Sequence, residues 1–171
     1  MKKLGITFAL ILIIVLSAVI FKGSAEETEY LRIHVRANSN EKIDQDIKYQ
    51  VKDLVVSYLT PIIENAKSKE EAISVIENSK TAVNGLIDGF LRQNDFNYAS
   101  KISVRKEEFP TRVYGDLTLE AGVYDAVIIE LGAGKGDNWW CVVFPPLCFT
   151  DKEVEYRSVI ADFFKKLRQG G

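Results

Sequence analysis

The sequence contains few of the residues from which metal centres and nucleophilic active sites are usually built. Its 171 residues include one histidine, His34, and two cysteines, Cys141 and Cys148. A structural zinc site needs four cysteine, histidine or carboxylate ligands, and His34 stands far along the chain from both cysteines. These shortages predict a protein without a metal site and without another cofactor.

The sequence also lacks an excess of positive charge. The chain has 22 basic and 24 acidic residues, and the basic ones form no cluster. Because proteins that bind nucleic acid usually concentrate lysine and arginine on one surface, this pattern argues against nucleic acid as a partner. Low-complexity tracts, internal repeats and proline- or serine-rich linkers are absent too, which favours a single domain.

The N-terminal residues have the pattern of an export signal. Positively charged Met1-Lys2-Lys3 precedes an apolar run, residues 4–21, and Gly23-Ser24-Ala25 supplies the small residues of a cleavage site. The apolar run is also near the lower limit of length for a membrane span. Two outcomes stay open: cleavage after Ala25, or retention of residues 1–25 as an anchor that associates with the membrane. In both, we expect residues 26–171 to be exported as one domain.

The remaining sequence changes between strand and helix patterns. Residues 30–37 alternate, which predicts a half-buried strand whose Arg32, His34 and Arg36 side chains lie on the polar face. Further strands are predicted at residues 101–106, 122–131 and 139–144, with an extended segment and turn at residues 109–115. Helices are predicted from Ile43 to Tyr58, with Pro61 closing or kinking the chain, from Lys69 to Phe90, and near residues 152–168. This order predicts an α+β domain with its helices packed on one face of a mainly antiparallel sheet.

Residues 132–138 form a glycine-rich connection. A phosphate-binding loop should follow a strand and open a helix, so that backbone amides and a helix N-terminus meet the anion. Here residues 139–144 predict a strand instead. The pattern therefore favours a hairpin loop between two strands over a nucleotide site.

The two cysteines are expected to meet in an oxidising compartment. A fully extended chain would hold Cys141 and Cys148 roughly 23 Å apart, whereas a disulfide needs Cα atoms within about 7 Å. The chain must therefore reverse between Phe144 and Pro145, in a turn that can hold a cis peptide bond. The alternative is a pair of buried thiols beside a proline turn.

Several segments closely resemble the stage II sporulation protein R family. They are residues 31–39 (LRIHVRANS), 109–115 (FPTRVYG), 121–126 (AGVYDA), 132–136 (GAGKG) and 138–149 (NWWCVVFPPLCF). The last block is long and unusual, so chance similarity is a poor explanation for it.

The resemblance implies a signalling protein of endospore formation that is not an enzyme. It would be made in the forespore and exported to the space between forespore and mother cell, either secreted or membrane-anchored. Its partner there would be a membrane-embedded aspartic protease of the mother cell, which it would activate to process the precursor of sigma factor E. The motif residues with side chains suited to an interface are the expected partner-binding residues: His34, Arg112, Tyr114, Trp139 and Trp140.

An alternative function from a different class is an extracytoplasmic hydrolase. It would use His34 as a base with Cys141 as the nucleophile, or with an acidic partner. The state of the thiols separates the two hypotheses, because a nucleophile must be free whereas a structural disulfide is oxidised.

Overall fold

A computed structural model describes residues 28–147 of the chain. The expected signal segment, residues 1–25, and the expected C-terminal helix, residues 152–168, therefore lie outside the described residues. The elements of the described part follow in this order: β1 (Leu31–Arg36), α1 (Lys42–Ile63), α2 (Lys69–Gln93), β2 (Ser100–Phe109), β3 (Arg112–Tyr114), β4 (Leu117–Leu119), β5 (Gly122–Leu131) and β6 (Asn138–Phe144).

The helices form where the apolar residues recur at helical spacing. α1 turns one apolar side inward and ends at Ile63, shortly after Pro61. α2 begins with Ser68 as its N-cap, whose hydroxyl accepts a hydrogen bond from the Glu71 backbone N–H at 3.2 Å. Gly85 lies inside α2 with no neighbour that a side chain would meet, so it does not end the helix.

Four strands form one sheet in the order β2-β5-β1-β6. β1 pairs with β5 in parallel and with β6 antiparallel, and β2 pairs with β5 antiparallel. The predicted α+β class and mainly antiparallel sheet are thus confirmed, with one parallel pair at the centre. α1 and α2 cover one face of this sheet, where a large core forms around side chains such as Ile33, Val127 and Val143. Each fully buried side chain of this kind contributes about 2 kcal/mol by leaving water.

The glycine-rich connection does not close a hairpin, so that prediction was wrong. β1 lies between β5 and β6, and the connection passes over the C-terminal end of β1. The backbone N–H of Gly136 donates to the Ala37 carbonyl at 2.9 Å, and that of Lys135 donates to the Asn38 carbonyl at 3.2 Å. Gly136 packs so closely that a Cβ there would lie 2.2 Å from the Ser39 carbonyl oxygen. The glycines are needed for this close crossing.

The remaining two strands, β3 and β4, form a short antiparallel ribbon of their own. Among residues 28–147 this ribbon shares no strand pairing with the four-stranded sheet. Gly115, between the two strands, has a φ of 59°, a conformation that favours glycine. None of the helices in residues 28–147 is long and apolar enough to cross a membrane.

Candidate functional site

The sheet face opposite the helices carries a second cluster of buried side chains. Phe109, Tyr124, Ala126 and Ile128 form its centre, and Trp140 packs against them. β1 contributes Arg32 and His34 to this face, because their neighbours Ile33 and Val35 point to the helices. The expected half-buried strand is wrong in this respect: Arg32 and His34 are both 0% exposed. The alternating sequence of β1 predicts that its polar face meets solvent, but the aromatic side chains and the β3–β4 ribbon cover this face.

Arg32 lies inside a cage of aromatic rings. Its guanidinium carbon is 4.2 Å from the centre of the Phe109 ring and 4.7 Å from that of Tyr124. Its Nη2 donates a hydrogen bond of 3.0 Å to the Tyr114 hydroxyl, while Nε and Nη1 have no hydrogen-bond partner among residues 28–147. Since a guanidinium cannot lose its proton in a protein, Arg32 is a buried positive charge held by ring faces and one neutral hydroxyl.

His34 lies next to this cage and is also enclosed by rings. Its imidazole stacks on Trp140 with the ring centres 4.8 Å apart, and it meets Phe109 edge-on at 5.5 Å. Burial lowers the pKa of His34 to about 4, and the positive charges of Arg36 and Arg105 also lower it, while Glu107 opposes them. The imidazole is therefore neutral at pH 7, and neither ring nitrogen has a hydrogen-bond partner among the described residues.

Arg36, the third polar residue of β1 on this face, has carboxylate partners. Its Nη2 contacts Glu107 Oε1 at 2.7 Å and its Nη1 contacts Glu130 Oε1 at 3.1 Å. Burial is the largest single influence on Glu107 and raises its pKa. The charge and hydrogen bond of Arg36 act in the opposite direction, and the net result is a pKa below the ordinary value. Two arginines on one face of one strand thus have different environments: Arg36 is paired with carboxylates and Arg32 is packed among rings.

The rim of the cluster is accessible. Arg112, at the start of β3, is exposed, and its guanidinium carbon lies 5.7 Å from the centre of the Trp140 ring. The next residue, Val113, is 66% exposed although it is apolar. Tyr114 then reaches inward from the same strand to Arg32. The ribbon therefore presents a cation and an apolar side chain to solvent directly above a buried cation.

Four of the five predicted partner-binding residues come together here: His34, Arg112, Tyr114 and Trp140. Trp139 does not join them, since it packs against the core on the helix side, with its ring centre 5.5 Å from Lys52 Nζ on α1. Sequence reasoning missed the cage residues Arg32, Phe109 and Tyr124. All three stand within the family-like segments, but a polar residue on an alternating strand and two aromatic residues are by themselves ordinary features of a sheet.

His34 and Cys141, the pair proposed for a hydrolase, are not brought together. Cys141 is buried in the helix-side core and His34 points to the opposite face of the sheet. In the part of the chain that the structure describes, no group of histidine, cysteine or carboxylate side chains could hold a metal ion.

The expected turn after β6 is present, and its Phe144–Pro145 peptide bond, for which the sequence left the isomer open, is cis. Cys148 lies outside the described residues. Its disulfide with Cys141 therefore stays a prediction.

Comparison with known proteins gives one consistent result. A family model described as stage II sporulation protein R matches residues 27–154. A curated relative, stage II sporulation protein R of Bacillus subtilis (strain 168), is 36% identical over 121 residues, which is 71% of this chain and 54% of the relative. The chain thus spans about half the length of the curated relative it matches. No solved structure matches.

Proposed function

This chain belongs to the stage II sporulation protein R family, and from that membership and a role in sporulation we propose that it is an exported signal between two cells. It leaves the forespore and activates the membrane-embedded mother-cell protease that processes the precursor of sigma factor E. The observation that carries the proposal is the family match across most of the chain. Binding, and not catalysis, is its activity.

The rim of the second face is the best-supported contact surface. Anchors of protein interfaces are enriched in tryptophan, tyrosine and arginine. At this rim Arg112 lies against the Trp140 ring, and Tyr114 lies against Arg32. A half-buried ring beneath an exposed guanidinium gives a partner both apolar area and a charge to pair with. His34 supports this surface from below by fixing the Trp140 ring through stacking.

Activation follows if the partner has two states and this surface fits one of them better. A ligand shifts such an equilibrium only by the difference between its affinities for the two states. We propose that the active arrangement of the protease exposes the complementary surface. No covalent step on this chain is required.

The test is precursor cleavage in cells that carry the protease, with its outer face accessible, and the sigma precursor. Cells that also export the full chain should cleave the precursor, and cells without it should not. Arg112→Gln should lower the cleavage rate about tenfold, as expected for an interface anchor. Its stability should hardly change, because exposed cation–π contacts contribute only about 0.5–1 kcal/mol.

Arg105→Gln is the matched control. Arg105 is exposed on the same side of the sheet, and its side-chain bonds are to Ser103 and Glu107 on its own strand. It should signal like the unchanged chain. Equal losses in Arg112→Gln and Arg105→Gln would show that net charge, and not this surface, governs activity. Absence of cleavage with a folded, exported chain would refute the signalling proposal.

Export itself is part of the proposal. The mature chain is expected outside the cytoplasm, with Cys141 and Cys148 joined. A chain recovered only from the cytoplasm with both thiols free would contradict it.

A further inference from the structure

The unpaired charge of Arg32 points to a ligand that residues 28–147 do not supply. We propose that Arg32 is the centre of a carboxylate-binding site beneath the β3–β4 ribbon, which takes an aspartate or glutamate side chain of the partner. The proposal rests on the proposed function only for the source of the carboxylate. Binding of the carboxylate itself is measured without the protease.

Burial of an arginine without an anion is costly. The side chain of Arg32 is 0% exposed, and two of its nitrogens have no hydrogen-bond partner in the described part of the chain. An unsatisfied buried donor keeps its full desolvation penalty, and a charged donor keeps a larger one. The rings of Phe109 and Tyr124 lie against the guanidinium and offset part of this cost, but they do not satisfy the N–H groups. An anion that accepts from Nε and Nη would.

The carboxylates of the described residues nearby are committed elsewhere. Glu107 and Glu130 bond to Arg36, and Asp125 bonds to Lys69 Nζ at 2.7 Å. The strand neighbours of Arg32 in the sheet are Ala126 and Val142, which have no polar side chain. The described fold thus surrounds Arg32 with groups that do not neutralise it.

The geometry favours a carboxylate among anions. A guanidinium presents its N–H groups in a flat fork that matches the two oxygens of a carboxylate. Nε and Nη1, the nitrogens without a hydrogen-bond partner in residues 28–147, belong to this fork. The neutral state of His34, next to the cage, leaves Arg32 as the buried cation of this cluster.

Tyr114 is the gate of the site. It is half-buried, it belongs to the ribbon that shares no pairing with the main sheet in residues 28–147, and its hydroxyl is the acceptor for Arg32 Nη2. A neutral hydroxyl is a weaker acceptor for a guanidinium than a carboxylate, because charge-assisted hydrogen bonds are roughly twice as strong. An incoming carboxylate can therefore replace the hydroxyl and move the Tyr114 ring aside. Exposed Arg112 attracts the anion to this edge.

Nuclear magnetic resonance of the full ¹⁵N-labelled chain in a mild non-ionic detergent measures the Arg32 Nε–H signal directly. The probes are sodium acetate and an aspartate blocked at both backbone ends, each compared with sodium chloride at equal ionic strength. We expect a saturable shift with half-saturation on the order of millimolar, as for the smallest ligands. Tighter binding of the blocked aspartate than of acetate would support a protein side chain as the source. Binding of acetate alone would support a carboxylate site but overturn the protein source.

Tyr114→Phe tests the gate without removing the ring. Loss of the competing hydroxyl should tighten carboxylate binding about tenfold. Tyr49→Phe on α1 is the control, since Tyr49 is 49% exposed and far from the cage in the fold, and its affinity should equal that of the unchanged chain.

Two results would overturn the site: a shift that only follows ionic strength, or a Tyr114→Phe variant that binds no tighter. If binding holds and precursor cleavage is never observed, the site stands and the signalling proposal fails. If precursor cleavage occurs but no carboxylate binds, the signalling proposal stands and the carboxylate site is refuted.

Discussion

His34 should make the protein sensitive to mild acid, and replacing it with phenylalanine should remove that sensitivity. The imidazole is fully buried between Trp140 and Phe109, and neither nitrogen has a hydrogen-bond partner in the described structure. Protonation would place a second positive charge in the same cluster as Arg32. The His34→Phe substitution keeps a flat ring in the stack and removes the titrating group.

The magnitude follows from the difference between the pKa of His34 in the folded and unfolded chain. The folded value is about 4 and the ordinary value is 6.5. Well above pH 6.5 both states are neutral, so His34 adds no pH dependence there. As the pH falls towards 4, the unfolded chain takes up a proton that the folded chain resists, so the free energy of unfolding decreases. At pH 5 the decrease due to His34 alone is about 2 kcal/mol relative to pH 7.

Urea unfolding of the unchanged protein and the His34→Phe variant at pH 7 and pH 5 measures this difference. Backbone circular dichroism is the signal, because Trp140 stacks on the altered residue and its fluorescence would change with the substitution itself. The free energy of unfolding should fall by about 2 kcal/mol more in the unchanged protein than in the variant. Asp44 and Glu107, whose pKa values are lowered, remain ionised at pH 5 in both proteins, so their contributions cancel in the difference.

The reasoning would be refuted by equal losses in the two proteins between pH 7 and pH 5. A direct titration of the His34 ring protons with a midpoint near the ordinary value would refute it independently, since that result would mean that the ring is open to water. A constant difference in the free energy of unfolding between the two proteins does not affect this test, because overpacking by the larger phenylalanine ring acts equally at both pH values.

Two further predictions concern the crossing loop and the cysteines. Gly136→Ala should destabilise the protein by about 1–3 kcal/mol, because its Cβ would collide with the Ser39 backbone. Gly85→Ala in α2 is the control: its Cβ has open space, so it should stabilise the protein by about 0.5–1 kcal/mol in the same urea assay. Equal effects of the two substitutions would mean that the loop can move away from Ser39. Thiol labelling of the denatured, exported chain should find no reactive cysteine before reduction and two afterwards, and reduction should lower the free energy of unfolding by about 2 kcal/mol if Cys141 and Cys148 close their short loop. Labelling of both cysteines without a reductant would disprove the disulfide.

The positions of most elements could be predicted from local patterns, although the helix α1 and the strand β2 extend beyond their predicted ends. The strand predicted at residues 122–131 is β5 with the same bounds, and both helices begin within a residue of the expected positions. These elements depend on periodicity within one segment, which the sequence displays directly. The ribbon strand β4 was missed because three residues are too short to show a period.

The order of the strands could not be predicted in the same way. A glycine-rich loop between two strands is typical of a hairpin, and nothing local shows that β1 lies between β5 and β6. Parallel pairing of β1 with β5 requires a long connection, and here that connection contains both helices and three strands. Contacts between residues so distant in sequence leave no periodic pattern in either segment.

The same limit explains why Arg32 was overlooked while His34 was selected. On β1, Arg32 and Arg36 occupy equivalent places in the alternation, and the sequence gives no reason to treat them differently. The register of the neighbouring strands separates them: Arg36 pairs with Glu130 on β5, whereas Arg32 pairs with Ala126. Within residues 28–147, Arg36 thereby obtains a carboxylate and Arg32 does not. A buried charge that the described fold does not neutralise is a candidate for binding another protein, and only the three-dimensional register shows that this charge is Arg32.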